Sequence, residues 1–243
     1  MSVSKQRPWP VYGHEKQVQL LQQACLSGQV AQAYIIYGLR GLGKKHLASV
    51  LVKELLCQSK SLNCDKCFSC VRLKKNLHPD VMHLPLTASQ SISVDEVRLA
   101  NQFLHFSALN SGSGRRCLII DRAERFTDAA ANAMLKTLED PPTGAIIILL
   151  AEKISQVPAT VRSRCQLIKL LPLSQRQMQS WIKQFNLAPE IEETVLGLSL
   201  GRPGRALDLL ADNLEQYQLR MERLLSWMSS DSVITFQNLK LWL

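Results

Sequence analysis

Four cysteines within fourteen residues form the first group whose type and spacing could do chemistry. They are Cys57, Cys64, Cys67 and Cys70, in the pattern C-x6-C-x2-C-x2-C. Four thiolates make a closed tetrahedral site for Zn²⁺, with no open position for a substrate. The x2 spacings predict tight turns, and the x6 spacing predicts that Cys57 comes from a helix end. The pattern therefore predicts a structural zinc site, with unmetallated thiols as the alternative.

A glycine-rich turn is the second group. Gly38-x-x-x-x-Gly43-Lys44, with another glycine at Gly41, lies between an apolar run typical of a strand and a run typical of a helix. Glycines let backbone N–H groups surround a phosphate, and a lysine at the helix start reaches its oxygens. The next residue is Lys45, where Mg²⁺ ligation requires a Ser or Thr hydroxyl. We therefore expect weak ATP binding or none, and a turn without a ligand is an equal alternative.

An aspartate at the end of a third apolar run accompanies this loop. Asp121 is the residue type that holds a metal in ATP-hydrolysing sites, where a following glutamate positions the attacking water. This chain has Arg122 at that second position. Glu124 lies two residues further on, and we expect its side chain to point elsewhere. Asp121 is thus predicted to belong to a degenerate nucleotide site.

The composition is that of a basic globular chain. Among 243 residues, 29 Lys and Arg exceed 20 Asp and Glu, which gives a net charge of +9. Hydrophobic residues at 46% argue against disorder. No apolar run approaches the ~20 residues that span a bilayer, and the start has no apolar signal segment, so we expect a cytoplasmic protein without membrane partners. Cys25, Cys117 and Cys165 are expected to be reduced thiols in or near the core.

The elements that must position these groups alternate between helices and strands up to about residue 170. Helices are predicted at 14–27, 44–56, from 93 onward and at 128–139, and strands at 33–37, 80–84, 117–121 and 145–151. This order predicts an α/β fold with a parallel sheet. Beyond residue 170 we expect only helices, one capped by Ser174, one opened by Pro189 and one over 205–214 after a break at 201–204.

Four stretches in matching order carry a resemblance to a known family. They are Gly-His-Glu-Lys at 13–16, the loop at 38–44, the run from Asn132 to Pro-Pro at 141–142, and Ser163-Arg164-Cys165. With the cysteine cluster, the chain resembles the clamp-loader branch of the AAA+ ATPases, and among these the bacterial DNA polymerase III clamp-loader subunits, over about residues 8–210. The resemblance implies a P-loop AAA+ parallel sheet with a zinc-binding insertion, followed by a small all-helical lid. The implied domains are an AAA+ domain at 1–168 with the zinc module at 57–70, a lid at 169–213 and a truncated collar beginning at 214–243.

The resemblance also implies which chemistry the chain lacks and which it retains. The ATP-hydrolysing members carry Thr, Glu, a small polar residue and Arg at the positions that are here Lys45, Arg122, Glu152 and Gly204. No intrinsic ATPase is therefore expected. Arg164 is intact, and in this family the matching arginine acts in trans as a catalytic finger at the neighbouring subunit's ATP site. A planar guanidinium is suited to that task because it can donate two hydrogen bonds to phosphate oxygens.

The implied role is that of a stator in DNA replication, a subunit that helps load the sliding clamp without turning over ATP. It would be a component of a DNA-directed DNA polymerase (nucleotidyltransferase) holoenzyme. The implied partners are ATPase motor and clamp-opening subunits in a hetero-pentamer, and primer-template DNA through that complex. An ATP-hydrolysing motor and a zinc-containing DNA-binding module are the alternatives. Four cationic residues flank the cysteines: Lys66, Arg72, Lys74 and Lys75. They suit DNA binding, but they are equally typical of a solvent-exposed face.

Overall fold

Helices and strands alternate through most of the chain in a computed structural model that describes residues 9–59, 64–85, 91–108 and 114–211. Within these ranges the helices are α1 (Glu15–Ser27), α2 (Lys44–Leu56), α3 (Phe68–Lys74), α4 (Val94–His105), α5 (Asp128–Glu139), α6 (Ala159–Arg162), α7 (Gln175–Ile182), α8 (Pro189–Ser199) and α9 (Pro203–Ala211). The strands are β1 (Ala33–Tyr37), β2 (Val81–Leu84), β3 (Arg116–Ile120), β4 (Ala145–Ala151) and β5 (Gln166–Lys169). Among the described residues, no helix is both long and apolar enough to cross a membrane. The predicted start of a collar, 214–243, lies outside them.

The strands form one parallel sheet in the order β2-β3-β4-β1-β5. In the register, Ile35 of β1 lies opposite Leu149 on one side and Leu167 on the other. Because parallel strands end at the same edge, the loops after β1, β3 and β4 meet there. The predicted α/β fold with a parallel sheet is confirmed.

Alternate residues of β4 pack into two cores on opposite faces of the sheet. Ile148 packs in one core with Leu21 of α1 and Leu51 of α2. Ile147 packs in the other with Met134 of α5. All residues of β4 are buried, as expected for a parallel strand that helices cover on both faces. This central strand is the rigid support for the loops at its carboxyl end.

A third core, distinct from the two that flank the sheet, forms among the C-terminal helices. Its buried members are Leu173, Met178, Ile182, Val195 and Ala206. At its margin the rings of Trp181 and Phe185 meet edge to face, with centroids 5.0 Å apart. The helices after β5 therefore have a hydrophobic centre of their own.

Several elements differ from the sequence-based prediction: helices α3 and α6 were not predicted, and β3 covers Arg116–Ile120 instead of 117–121. Helix α9 begins at Pro203 rather than at residue 205, so the second half of the predicted break at 201–204 is wrong. Proline suits the first turn of a helix because its missing N–H would have no helical partner there. Strand β5 was not predicted, because most of its residues are exposed at the sheet edge and lack the continuous apolar run of β4. The predicted end of the last helix, 212–214, lies outside the described residues.

Candidate nucleotide cleft and metal centre

The loop between β1 and α2 is built on three glycines with positive φ. Gly38, Gly41 and Gly43 have φ angles of 143°, 85° and 88°, which residues with a Cβ rarely adopt. Lys44, the first residue of α2, turns back into this loop. Its Nζ donates hydrogen bonds to the carbonyl oxygens of Gly38 and Leu39, at 2.6 and 3.0 Å. The lysine that was predicted to reach a phosphate is thus bonded to its own loop.

A cleft of about 250 Å³ lies beside the loop at the carboxyl edge of the sheet. Asp121, Glu124 and Glu152 line it together with Gly41, Gly43 and Lys44 of the loop and its helix. Burial lowers the pKa of Lys44, and the charges of Glu152, Glu124 and Asp121 oppose that effect. The structure therefore brings Gly41, Gly43, Lys44 and Asp121 of the predicted site to one cleft, whereas Gly38 is not among the residues that line it.

Lys45 reaches across this cleft to the aspartate. Its Nζ lies 3.3 Å from Oδ2 of Asp121, and the two side chains are 69% and 37% exposed. An exposed pair of this kind contributes little stability. Its geometry nevertheless gives Asp121 a cationic partner from the chain itself, at a carboxylate that would otherwise be available to Mg²⁺.

Glu124 points into the cleft, so the expectation that it points elsewhere is wrong. Arg122 adopts a left-handed conformation with φ 58°, and a short 3-10 turn follows over Ala123–Arg125. This reversal of the chain places Glu124 in the cleft, where its Oε1 accepts a hydrogen bond from the Glu152 N–H at 3.4 Å. Its other oxygen is buried and has no hydrogen-bond partner in the structure. The cleft thus contains more negative charge than the sequence indicated.

The first turn of α9 lies directly on the loop. The N–H of Gly204 donates to the carbonyl oxygen of Gly41 at 2.8 Å. A Cβ on residue 204 would lie 2.8 Å from the Cα of Gly41, which is closer than real Cβ atoms approach. An arginine at this position, as in the ATP-hydrolysing members of the family that the sequence resembles, would therefore require α9 to move.

The four cysteines converge on one point between α2 and α3. Their sulfurs lie within 4.8 Å of one another, with Cys57 Sγ 3.6 Å from Cys70 and 3.9 Å from Cys67. A tetrahedral site with bonds of about 2.3 Å separates its sulfurs by roughly 3.8 Å, so the cluster fits a Zn²⁺ ion. Cys57 follows the end of α2, as predicted, whereas Cys67 and Cys70 lie at the start of helix α3 rather than in turns alone.

Backbone N–H groups point at two of these sulfurs. The N–H of Cys67 donates to Cys64 Sγ at 3.3 Å, and that of Cys70 donates to Cys67 Sγ at 3.5 Å. Burial opposes ionisation of Cys67, but the hydrogen bonds from the backbone of Cys70 and Gln58 and from the side chains of Cys70 and Cys64 together outweigh it and hold its pKa at about 6. An ionised thiol is the form that binds a metal. The four-cysteine cluster could therefore bind a metal ion.

The three remaining cysteines differ from this cluster. Burial raises the pKa of Cys25, Cys117 and Cys165 to about 12 in each case. None of them forms a disulfide. They are therefore protonated thiols. Cys117 lies in a core of the sheet, and Cys25 and Cys165 pack against the cores, so their predicted place in or near the core is confirmed.

Arg164 does not line the cleft but lies in the turn between α6 and β5. Its Nε donates to Oε1 of Glu139 at 2.9 Å, and Nη2 donates to the same oxygen. Its Nη1 donates to the carbonyl of Thr160 at 2.8 Å and to Oγ of Ser163 at 3.2 Å. Arg164, which the sequence predicted to act as a finger, is thus separate from the candidate nucleotide cleft of its own chain and is hydrogen-bonded to the exposed carboxylate of Glu139.

Sequence reasoning assigned no role to two residues that contact these sites. His14, in a left-handed conformation just before α1, has its Nε2 3.1 Å from the carbonyl oxygen of Leu42 in the glycine loop. Its burial lowers its pKa. Glu139 is the last residue of α5, where a negative charge opposes the helix dipole. That unfavourable position was the one signal that could have indicated a partner for Glu139.

The strand order, the glycine loop and the helices that follow the sheet define an AAA+-type α/β protein. A family model described as "DNA polymerase III, delta subunit" matches residues 13–174. The delta' subunit of Haemophilus influenzae DNA polymerase III is 33% identical over 84% of this chain, and that of Escherichia coli is 33% identical over 83%. The chain belongs to the DNA polymerase III delta' family of clamp-loader proteins. It spans about 60% of the length of these relatives.

A solved structure shows the same fold at low sequence identity. The Aeropyrum pernix ORC1 protein, determined in complex with DNA, aligns with a TM-score of 0.58 and 17% identity. The alignment covers 88% of this chain and 62% of that protein. At this identity the likeness establishes the fold of the described core and nothing about ligands.

Proposed function

We propose that the chain is the stator of a DNA polymerase III clamp loader, a delta' subunit that helps load the sliding clamp on primed DNA without turning over ATP. It joins motor and clamp-opening subunits in a hetero-pentamer. Its membership in the delta' family supports this role. The proposal includes an AAA+ domain at 1–168, a lid at 169–213 and the start of a collar at 214–243. The separate core among α7, α8 and α9 supports the distinction between sheet and lid.

The observation that carries this proposal is that both lysines of the cleft are already bonded to groups of their own chain. Lys45 bonds to Asp121, and Lys44 bonds to the loop carbonyls. The Gly204–Gly41 contact places the backbone of α9 against the loop where a motor subunit would need a side chain. A nucleotide with Mg²⁺ would have to break these contacts and would also meet the carboxylate of Glu152. The cleft therefore favours a subunit without ATPase activity.

The catalytic part of the proposal rests on Arg164. Its guanidinium is one-third exposed and lies in a turn at the protein surface, where a neighbouring subunit can approach it. Arginine suits a finger because it stays charged and can donate paired hydrogen bonds to phosphate oxygens as charge develops. We assign Arg164 to the γ-phosphate of the adjacent motor subunit.

The first experiment measures Mg·ATP binding and hydrolysis by the isolated chain. Titration calorimetry is expected to detect no binding at millimolar ATP, and no steady-state turnover is expected. Lys44→Ala is the control, because it removes the one side chain that a working site would need for the phosphates. Hydrolysis at motor-like rates that Lys44→Ala abolishes would establish the motor alternative instead.

The second experiment tests the finger in the reconstituted clamp loader. Arg164→Ala is expected to lower the ATPase of the complex by about 10³-fold or more at the site it faces, as for other arginine fingers. Arg162→Ala, two residues earlier and half-buried, is the matched control. An unchanged ATPase with Arg164→Ala, in a complex that still assembles, would disprove the assignment.

We further propose that the cysteine cluster holds a structural Zn²⁺. Four sulfurs complete the coordination of the ion, so no position remains for catalysis. The ion joins the end of α2 to the start of α3, a connection reinforced by an ion pair between Lys53 and Asp65, with Nζ 2.7 Å from Oδ1. Metal analysis of the purified protein is expected to find one zinc per chain.

A zinc-containing DNA-binding module is the second candidate function, and one feature of α3 favours it. Arg72 stacks on the exposed ring of Phe68, 4.0 Å from its centroid, and Lys66, Lys74 and Lys75 are exposed nearby in the sequence. Aromatic and cationic groups of this kind bind single-stranded DNA with a steep salt dependence. Fluorescence anisotropy with a labelled oligonucleotide tests it. Affinity that Phe68→Ala and zinc chelation both abolish would support this candidate.

A further inference from the structure

Nearly all donors of Arg164 are occupied within its own chain. A guanidinium has five N–H groups. In the structure Nε and Nη2 donate to Glu139, while Nη1 donates to Thr160 and Ser163. Glu139 occupies the Nε–Nη2 edge, which is one of the two edges that can bind a phosphate in a paired arrangement. A finger in this state must release a carboxylate before that edge can bind a phosphate.

Glu139 is at a position that its own helix disfavours. It is the last residue of α5, and Asp140 follows directly at the C-cap. Negative charge at a helix C-terminus opposes the helix dipole and the unpaired carbonyls there. The ion pair with Arg164 compensates for this unfavourable position. A locally disfavoured residue that contacts a proposed functional side chain is typical of a functional constraint.

We propose that Glu139 is a positioning residue that acts as an internal substitute for the phosphate. It holds Arg164 in one orientation in the free subunit and is displaced when the γ-phosphate of the neighbour arrives. This inference rests on the proposed finger. When Arg164 leaves Glu139 for the phosphate, it exchanges one carboxylate charge for the larger charge of a triphosphate. The ion pair therefore weakens the binding of Arg164 to ATP of the neighbouring subunit without preventing it.

The exposure of the pair sets the size of its effect. The side chains of Arg164 and Glu139 are 32% and 53% exposed. Exposed ion pairs shift an equilibrium by about 1.5- to 5-fold and are screened by salt. Competition from the carboxylate of Glu139 therefore weakens the binding of ATP at the adjacent site by a factor in this range. The effect is largest at low ionic strength.

The test compares Glu139→Gln with the native chain in the reconstituted clamp loader. Glutamine keeps the shape of the side chain and removes its charge. We expect the KM for ATP at the adjacent site to fall about 1.5- to 5-fold at low salt, kcat to change less, and the difference to shrink as salt is added. Asp140→Asn is the matched control, because it removes the neighbouring carboxylate, for which the structure shows no hydrogen bond to Arg164.

The double variant Glu139→Gln/Arg164→Ala separates this inference from the proposed function. If Glu139 acts through Arg164, the double variant has the same KM and kcat as Arg164→Ala alone. A fall in kcat with Glu139→Gln, or an unchanged KM while Arg164→Ala still lowers the ATPase, would overturn the role of Glu139 and leave the finger in place. An intact ATPase with Arg164→Ala would instead disprove the finger, and the inference with it.

Discussion

The cysteine cluster and the candidate nucleotide cleft both arise from sequence motifs, but their polar groups face different partners. In the cluster four sulfurs point at one another, and the backbone N–H groups of Cys67 and Cys70 donate to the sulfurs of Cys64 and Cys67. In the cleft, Lys45 faces Asp121 and Lys44 faces carbonyl oxygens. The cluster gathers electron-pair donors that need a cation, whereas the cleft supplies its own counter-charges.

This difference indicates which site needs a ligand in order to be stable. Sulfurs at 3.6 and 3.9 Å cannot all be ionised unless a metal neutralises them. The need is smaller in the cleft, because Lys45 pairs with Asp121 and Lys44 lies in the field of all three carboxylates, Glu152, Glu124 and Asp121. The loop also has a structural role in the fold, because it accepts the hydrogen bond from Gly204 at the start of α9.

The largest effect is expected from loss of the metal at the cluster. Cys70→Ser removes one of the four sulfurs, and chelation of the native protein removes the Zn²⁺ that we propose. Either change should eliminate the stabilisation that a metal bound only to the folded state provides. A ligand at a thousand times its Kd stabilises by about 4 kcal/mol, which is ~8–16 °C in Tm at ~2–4 °C per kcal/mol. Calorimetric scans with parallel zinc analysis measure this change.

The control for this prediction is Cys25→Ser, which alters a partly buried thiol outside the cluster. It is expected to keep its zinc, to have a Tm close to that of the native chain, and to show the same fall in Tm on chelation. A cluster that loses zinc with no fall in Tm would contradict the comparison, because the sulfurs would then be stable without a cation.

The next effect concerns the contact between the loop and α9. Gly41→Ala and Gly43→Ala both place a Cβ on a residue with φ near 85–88° and should each cost about 1–2 kcal/mol of unfolding free energy. Only the Cβ on residue 41 approaches α9, at 3.0 Å from the N of Arg205, whereas the one on residue 43 meets nothing within 4 Å. Gly41→Ala should therefore also speed hydrogen exchange of the Gly204 amide. Equal protection in both variants would show that the loop does not hold α9.

The sequence predicted the elements that have strong periodicity and clear ends. The ranges 44–56, 128–139 and 145–151 agree with α2, α5 and β4 to the residue. Their boundaries are marked by the glycine loop, by Thr127 as an N-cap and by the prolines after α5. The four cysteines were found for a similar reason, because metal ligation depends on local spacing.

What the sequence did not predict depends on backbone conformations and long-range contacts. Glu124 enters the cleft because Arg122 is left-handed, which neither residue type indicates. The approach of Gly204 to Gly41 and the pairing of Arg164 with Glu139 join segments that are far apart in the chain. Such contacts follow from the packing of whole elements. Local patterns contain no signal for the Gly204 contact, and for Glu139 they offer only its unfavourable position at a helix end.

A smaller effect is expected in the pH dependence of stability through His14. Burial lowers its pKa in the folded state below the ordinary value of 6.5, so the unfolded chain binds the proton more tightly. Stability should therefore fall as the pH drops below about 6.5 and continue to fall toward the folded-state pKa. His14→Gln should flatten this slope in urea unfolding between pH 7 and 5, and His46→Gln is the control. An unchanged slope in His14→Gln would show that protonation of His14 does not contribute to the pH dependence of stability.

The smallest effect is expected from Lys45→Ala, the counterpart in the cleft of the cysteine substitution. Because its pair with Asp121 is exposed, its removal should cost no more than about 1 kcal/mol of unfolding free energy. A double-mutant cycle with Asp121→Asn isolates the pair, and Lys153→Ala, another exposed lysine near the cleft, controls for general charge. The coupling should decrease with added salt, since exposed pairs are screened. The coupling free energy could instead be as large as the stability lost in Cys70→Ser. That result would mean that the cleft, like the cluster, depends on a cation for its stability and that Lys45 is this cation.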